Sequence, residues 1–395
     1  MTFSTRCLPL SDASVQNAVE LLLAGELVAF PTETVYGLGA DATQPDAVRK
    51  IFEAKGRPAD HPLIVHIADG DDPLRWAGQW SELAQRLADV FWPGPLTLIV
   101  PRREGVSDLL TGGQPTVGLR CPGHPGAQSL LCALKRAGGG ALAAPSANRF
   151  GRISPTQAAH VMEELGGRIP LVLDGGEANV GIESTIIDVS RGYPVLLRPG
   201  DLSAQAIENA LGQRVARPDA HAPRVSGSLE SHYAPQKPLR QVPASAMADV
   251  LHSCALTGAL PVVVLGWSPS VIQAAAANGL QAVSRQLLKE HLDTAHRPDD
   301  MTGAPTDGNP ASGFSGSLRY TEQTQRYLIG QGLSDRAGLY MPLSNDVHEI
   351  AHDLYAALRW ADHQPVRAIW VEQAPATADW EGVADRLRRA SAGHA

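Results

Sequence analysis

The stretch Leu27-Val28-Ala29-Phe30-Pro31-Thr32-Glu33-Thr34-Val35-Tyr36-Gly37-Leu38-Gly39 opens as an apolar run, stops at a proline, then presents two hydroxyls, a carboxylate and two glycines. A short branched and aromatic run with a turn signal behind it reads as a buried strand. Outward from it the same signature recurs at Leu63–Ile67, Leu96–Val100, Val117–Leu119, Leu171–Asp174, Ser184–Val189 and Val195–Leu197. Between these runs lie segments of helical spacing: Val15–Ala24 before Gly25, Pro45–Ala54 before Gly56, and Gln128–Ala137 before a run of three glycines. Glycine just past a periodic segment is a helix stop. The alternation predicts an α/β fold. Ser154-Pro155-Thr156-Gln157 predicts one more helix start, with Ser154 as the cap, Pro155 in the first turn, and an amino end that would attract an anion.

Beyond Arg198-Pro199-Gly200 and a short helical stretch, Gly212–Arg240 becomes rich in Pro, Arg, Ser and His and loses periodicity, as a linker does. A second α/β block follows. Pro261–Gly266, Ala337–Met341 and Arg367–Glu372 read as strands, and Val271–Ala277, Val283–His291 and His348–Trp360 as helices, a pattern for a small Rossmann-like sheet. Arg297–Gly316 is a Pro, Gly, Asp and Ser tract read as a mobile insertion. The expected divisions are therefore a catalytic unit over 1–211, a linker over 212–240 and a smaller α/β unit over 241–395.

The chain has 395 residues, 44% apolar and 19% charged, enough for a large core and too much for one domain. The four cysteines, Cys7, Cys121, Cys132 and Cys254, form no Cys-x-x-Cys pair, which argues for reduced thiols over a disulfide framework or a zinc knuckle. A net charge of -8 disfavours general polyanion binding, so any nucleic acid contact is expected to be local. No run approaches the ~18 apolar residues of a membrane span and no secretory leader opens the chain, so a cytoplasmic protein without membrane contact is expected.

Polar residues cluster where strands end, the place where α/β sheets hold ligands. The first cluster is Thr32-Glu33-Thr34. Gly37-x-Gly39-x-x-Ala42 also fits a relaxed dinucleotide fingerprint, but six residues separate strand from first glycine and Asp60 sits between two prolines, so that reading is set aside. The second cluster is Lys55-Gly56-Arg57-Pro58-Ala59-Asp60-His61, ending in the strand that carries His66. Only five lysines occur in the chain, and one of them stands beside an arginine in a Gly/Pro-stiffened loop. A compact ammonium with a planar fork suits a phosphate chain and a departing phosphate group. Further clusters are Thr116–Arg120, Ala144-Pro145-Ser146-Ala147-Asn148 leading to Ser154, and Glu183–Asp188 with Arg198 beyond. Singly each could be a turn, a cap or a solvated charge. Five at successive strand ends point to one site. No phosphate loop of the Gly-x-x-x-x-Gly-Lys-Ser/Thr kind, nucleophile elbow or His-Glu-x-x-His motif is present, which favours catalysis by positioning and charge stabilisation.

Taken in order over residues 10–205, Phe30–Gly39, Lys55–His66, Phe91–Thr97, Thr116–Arg120, Pro145–Asn148, Glu183–Asp188 and Leu197–Gly200 resemble the motifs of the YrdC-like domain. His232-Tyr233-Ala234-Pro235 and the second block resemble the long two-domain threonylcarbamoyl-AMP synthases. The resemblance implies a twisted mixed sheet with flanking helices plus a Rossmann-like C-terminal unit. It also implies a nucleotidyltransferase that condenses L-threonine, bicarbonate or CO2 and ATP to threonylcarbamoyl-adenylate and pyrophosphate, for modification of tRNA beside the anticodon. By the same resemblance Lys55 and Arg57 hold the ATP phosphates as the catalytic cations. His61, Thr116, Ser146, Ser154, Arg198 and Tyr233 line the nucleotide site, and Thr34, His66, Arg120, Ala144 and Ser184 hold threonine. His232 and Tyr233 form a lid. Mg²⁺ rides on the phosphates, tRNA contact is weak or transient, and the product passes to a downstream tRNA threonylcarbamoyl transferase. His61 stands where the motif commonly has asparagine.

Two rivals remain at this level. One is a YrdC-like RNA-binding protein without catalysis, disfavoured by the acidity and by Lys55, Arg57, Arg120 and Arg198 all being present. The other is a hydrogenase-maturation carbamoyltransferase, whose zinc-finger cysteine pairs this chain lacks.

Overall fold

A computed structural model of the chain describes residues 3–257, 262–284 and 338–393. Ten strands form one mixed sheet: β1 (Arg6–Pro9), β2 (Val28–Phe30), β3 (Gly37–Asp41), β4 (Ile64–His66), β5 (Leu96–Pro101), β6 (Thr116–Arg120), β7 (Leu142–Ala143), β8 (Leu171–Asp174), β9 (Thr185–Asp188) and β10 (Val195–Arg198). Their order across the sheet is β1-β8-β2-β3-β7-β4-β6-β5-β9-β10. Residues of both sheet faces are buried, because helices cover each, and that is why most of these strands read as continuous apolar runs. Helices Asp12–Leu23 and Pro125–Arg136 enclose one core with Val28, Phe30, Leu142 and Leu171, while Pro45–Lys55 and Glu82–Phe91 cover the other with Leu38, Val65, Leu98 and Leu119.

Five further strands, β11 (Leu239–Val242), β12 (Val262–Gly266), β13 (Gln281–Ala282), β14 (Leu339–Pro342) and β15 (Ala368–Glu372), make an all-parallel sheet in the order β11-β15-β12-β14-β13. Helices Met247–Thr257, Pro269–Ala277, Val347–His363 and Glu381–Ala392 flank it. The α/β architecture with a smaller parallel C-terminal sheet is as the patterning predicts. Beyond Val283 and Ser284 the expected helix Val283–His291 lies outside the described residues, as does the tract Arg297–Gly316.

One local expectation is corrected. Ser154 does not cap a helix, which begins instead at Ala158 with Gln157 in the cap position and no side-chain cap bond. The Ser154 hydroxyl is drawn away to the Glu183 carboxylate, and the His160 ring reaches back one turn to accept from the Thr156 N–H at 3.3 Å. A buried charged acceptor outcompetes a local backbone donor. The glycines of Gly37-x-Gly39, whose dinucleotide reading is set aside above, lie inside β3, antiparallel to β2, where a Cβ on either would come within about 3.1 Å of the Phe30 ring.

The two sheets are joined through backbone-level contacts. A Cβ on Gly181 would lie 2.4 Å from the Ala351 carbonyl oxygen, and one on Gly382 would lie 2.7 Å from the Gly200 carbonyl oxygen. Val35, Ile153, Ile182 and Tyr233 pack into the same apolar cluster as Leu354, Tyr355 and Leu387. Gly200 is hemmed in by backbone on its own sheet as well, since its Cβ would meet Thr185 N at 2.5 Å and the Glu183 carbonyl oxygen at 2.7 Å. Gly200→Ala is therefore expected to cost about 2 kcal/mol, lowering the melting temperature by roughly 4–8 °C. An unchanged melting curve would contradict this packing.

Candidate active site

Register brings the polar strand ends together. In the parallel pair β4 and β6, His66 lies beside Arg120. Gly37 bridges Ser146, Leu38 N–H donates to the Pro145 carbonyl at 2.8 Å, and Ala144 N–H donates to the Ile64 carbonyl at 3.0 Å, so the 144–148 strip lies against β3 and β4. Across the sheet the hydroxyls of Thr97 and Ser184 meet at 2.8 Å at the paired starts of β5 and β9.

These ends close around one cavity of about 30 Å³. Thr34, His66, Arg120, Ala144, Ser146, Ser184, Arg198, His232 and Tyr233 line it, as do Glu183 and Ser226. Thr116 lines a smaller neighbouring cavity with Ile64, Ile99 and Val225. Lys55, Arg57, His61 and Ser154 stand behind the walls. His61 is half-buried, its ring 5.3 Å from that of Phe150, and its Nε2 is 3.9 Å from Asp60.

The cations are buried in an unusual way. Lys55, the last residue of its helix, donates from Nζ to the carbonyls of Ser146 and Asn148. Arg57 donates to the Pro62 carbonyl at 3.1 Å and lies 5.8 Å over the Phe150 ring. Arg198 donates to the Ser184 carbonyl at 2.8 and 3.0 Å, to the Ser184 hydroxyl at 3.0 Å and to the Ser226 carbonyl at 2.8 Å. Every one of these partners is a neutral oxygen. Burial, reinforced by the Arg57 charge, pushes the Lys55 ammonium well below its usual range, and burial lowers Arg57 to about 10. Three cations out of water without a carboxylate pair are costly, which is the electrostatic signature of a site that receives anions.

Arg120 differs. Its Nη2 donates to Glu33 Oε1 at 2.6 Å, while its Nε and Glu33 Oε2 are buried without a hydrogen-bond partner. Burial alone would raise the Glu33 carboxyl, but the Arg120 charge and hydrogen bond hold it below its usual value. Half of the Arg120 fork thus remains available. Glu183 is buried too, accepting from Ser154, from Tyr355 Oη at 3.0 Å and from Arg386 Nε at 2.8 Å. Burial would raise it, yet Arg386 and Arg198 together hold it down at about 2.

The linker supplies the roof. His232 and Tyr233 are both buried, their rings 4.2 Å apart, and Tyr233 lies 5.7 Å from Tyr355. Tyr233 sits at φ 61, a conformation rare for a bulky residue, so the surrounding packing holds this turn. Its hydroxyl has no hydrogen-bond partner among the described residues. Sequence reading assigned no role to Glu33, Glu183, Ser226, Tyr355 or Arg386. Glu33 and Glu183 had a signal, an acid at the end of an apolar run; Arg386 had none, because Asp385-Arg386-Leu387-Arg388-Arg389 looks like any solvated helix face.

Fold and cavity together define a two-sheet α/β enzyme whose first sheet gathers buried cations and hydroxyls under a linker from the second. Comparison with known proteins sharpens this. The family model covering Sua5, YciO and YrdC, described as telomere recombination, matches residues 20–200, and that of the threonylcarbamoyl-AMP synthase C-terminal domain matches residues 202–392. The threonylcarbamoyl-AMP synthase of Pyrococcus abyssi is 46% identical over 231 residues, 57% of this chain and 67% of that one. That of Bacillus subtilis is 46% identical over 234 residues, 58% of this chain and 66% of that one. The crystal structure of P. abyssi Sua5 complexed with L-threonine superposes with a TM-score of 0.72 at 32% identity, covering 99% of this chain and 98% of that one. The chain belongs to the two-domain Sua5-type threonylcarbamoyl-AMP synthases. Its activity is a nucleotidyl transfer that makes threonylcarbamoyl-AMP from L-threonine and ATP, in the pathway to threonylcarbamoyladenosine in tRNA. Among the described residues no helix is long and apolar enough to cross a membrane.

Burial pushes three histidines, His66, His160 and His232, down to about 3, the first also by Arg120, the second by Arg359, and the third by Arg57 and Lys55 against Glu183. An unfolded histidine binds a proton near 6.5, so below that pH the unfolded chain takes up protons that the folded chain refuses. Stability is then complete above pH 6.5 and falls as the medium is acidified toward 3, approaching ~1.4 kcal/mol per pH unit for each histidine. His363, raised by its contact with Glu163, works the other way but is one group against three. Melting temperature should fall steadily from pH 7 to pH 5, and a flat profile would contradict the burial of these rings.

Proposed function

We propose that Lys55, Arg57 and Arg198 hold the phosphate chain of ATP while Arg120 takes the carboxylate of L-threonine. The single observation behind this reading is that the first three are buried cations bonded only to neutral oxygens. Lys55 and Arg57 stabilise the charge that develops on departing pyrophosphate, the main catalytic contribution in a reaction that requires no protein nucleophile. His61, Thr116, Ser146 and Ser154 belong to the nucleotide side. Ser154 would act there through the carboxylate it shares with Arg386. Thr34, His66, the backbone at Ala144 and Ser184 belong to the threonine side, with His66 neutral at working pH.

The threonine amine adds to CO2 derived from bicarbonate, losing a proton as the carbamate forms. A carbamate oxygen then attacks the α-phosphorus, and the bond to the bridging oxygen breaks as pyrophosphate leaves. The enzyme's task is to align two labile anions and exclude water. A cavity of about 30 Å³ holds a water or two, far less than a nucleotide needs, so His232, Tyr233 and Ser226 must withdraw for entry and return to seal the adenylate. Glu33 and Glu183 are paired with arginines, so Mg²⁺ would enter on the ATP phosphates, where it would offset their charge and that of the departing pyrophosphate. The catalytic unit is assigned to 1–211, the linker to 212–240 and the C-terminal unit to 241–395. In support, β1–β10 end at Arg198 and no regular helix or strand lies between 212 and 238, although Leu239 and Arg240, counted in the linker, already belong to β11. A transient tRNA contact, delivery to a downstream transferase and a cytoplasmic location complete the reading.

Purified protein with ATP, Mg²⁺ and bicarbonate should release pyrophosphate only when L-threonine is added. Release without threonine, or none with it, would contradict the assignment. Lys55→Ala or Arg57→Ala should lower kcat on the order of a hundredfold, and Arg120→Ala should raise the KM for threonine with a smaller effect on that for ATP. Wild-type turnover in the first two would remove their role.

A further inference from the structure

We infer that Arg386, on the last helix of the C-terminal unit, is a positioning residue for the reaction: acting through Glu183, it holds Ser184, Arg198 and the Tyr233 ring in their working arrangement. The inference rests on the assignment of Ser184 and Arg198 to the site. Arg386 is fully buried, and its guanidinium reaches both flanks of the cavity wall. Nε donates to Glu183 Oε2 at 2.8 Å, Nη2 to the Glu183 carbonyl at 3.1 Å and Nη1 to the Pro199 carbonyl at 2.7 Å. Glu183 immediately precedes Ser184, and Pro199 immediately follows Arg198. One planar group therefore clamps the strand entering β9 and the strand leaving β10, next to the two residues that touch each other through the Arg198–Ser184 bonds. The same guanidinium lies 5.4 Å from the centre of the Tyr233 ring.

Three features make this more than an interface ion pair. First, a buried charge pair contributes little net stability compared with an apolar pair of the same size, whereas its directional bonds fix geometry. Second, the clamp has no slack: Gly382, one turn before Arg386, faces the Gly200 carbonyl at a separation that admits no side chain. Third, the carboxylate it holds also accepts from Ser154 and from Tyr355, so a shift of Arg386 that moved Glu183 would disturb both of these hydroxyls behind the cavity wall. Lysine cannot replicate this, since a single ammonium cannot bond Glu183 and Pro199 with the fork geometry of a guanidinium.

The test is steady-state kinetics per folded protein on Arg386→Lys, Glu183→Gln and their double variant, with Ser184→Ala and Arg198→Ala alongside. Arg386→Lys should keep a cooperative melt and lose tenfold or more in kcat with both substrates saturating. The double variant should be no slower than the slower single, because residues acting through one another are not additive. Wild-type kcat and KM in Arg386→Lys would overturn the inference, as would losses that multiply in the double variant. If Arg386→Lys does not fold, Arg386→Met with Glu183→Gln, which removes this charge pair and leaves Asp385, also 3.1 Å from Arg386 Nη1, to Arg388 and Arg389, carries the test: it should match Glu183→Gln in kcat, and wild-type kcat would overturn the inference. Losses in Ser184→Ala and Arg198→Ala without any in the Arg386 variants sink this inference alone. Full turnover in those two sinks the site assignment instead.

Discussion

A carboxylate out of water has to be satisfied, and in this protein the demands of one such group organise everything around it. Glu183 lies where β9 begins, between Arg386 of one sheet's last helix and the hydroxyls of Ser154 and Tyr355. Its backbone carbonyl accepts from the same arginine, and the next residue, Ser184, carries Arg198. Removing Arg386 would leave a buried charge without its ionic partner, a cost of several kcal/mol, and removing either hydroxyl would cost about 2 kcal/mol. The linker, the catalytic sheet and the C-terminal helices are thus tied at one point. That point is the wall of the cavity proposed as the active site.

Around this anchor the cations divide by their company. Arg386 and Arg120 have carboxylate partners, whereas Lys55, Arg57 and Arg198 have only carbonyls, a hydroxyl and a ring face. In the function proposed above, Arg386 builds the site, Arg120 both braces Glu33 and takes the threonine carboxylate, and the last three receive the phosphates. Neutral oxygens orient these side chains without supplying a counter-charge, so in the proposed reading it is the incoming phosphates that would supply it and favour the Lys55 ammonium against its burial. The roof residue Tyr233 ties the two groups together, since Arg386 lies over its ring while its unbonded hydroxyl faces the Gly227 side of the linker near Arg198.

What the amino-acid sequence made legible follows from which interactions are local. Strands such as β2, β5 and β8 are apolar runs buried on both faces, and their burial is written in consecutive residues. β1, β3 and β7 escaped: Arg6-Cys7-Leu8-Pro9 ends in proline, Gly37-Leu38-Gly39-Ala40-Asp41 is made of poor strand formers, and Leu142–Ala143 is too short to show a period. Each exists because a neighbour in space provides the ladder. The strip from Ala144 to Asn148 was legible as a polar cluster, but its pairing with Tyr36–Leu38 was not. Ser154 misled because its cap signature is local, while the acceptor that claims it lies twenty-nine residues away. Arg386 was invisible for the same reason carried further, its partner being 203 residues distant.

The most direct measurement is a crystal structure with L-threonine and a non-hydrolysable ATP analogue bound together. The account requires the threonine carboxylate on the free side of the Arg120 fork, phosphate oxygens on Lys55, Arg57 and Arg198, and Tyr233 moved from its present seat to admit the nucleotide. Both ligands bound elsewhere on the surface, with those three cations still facing only backbone carbonyls, would contradict it.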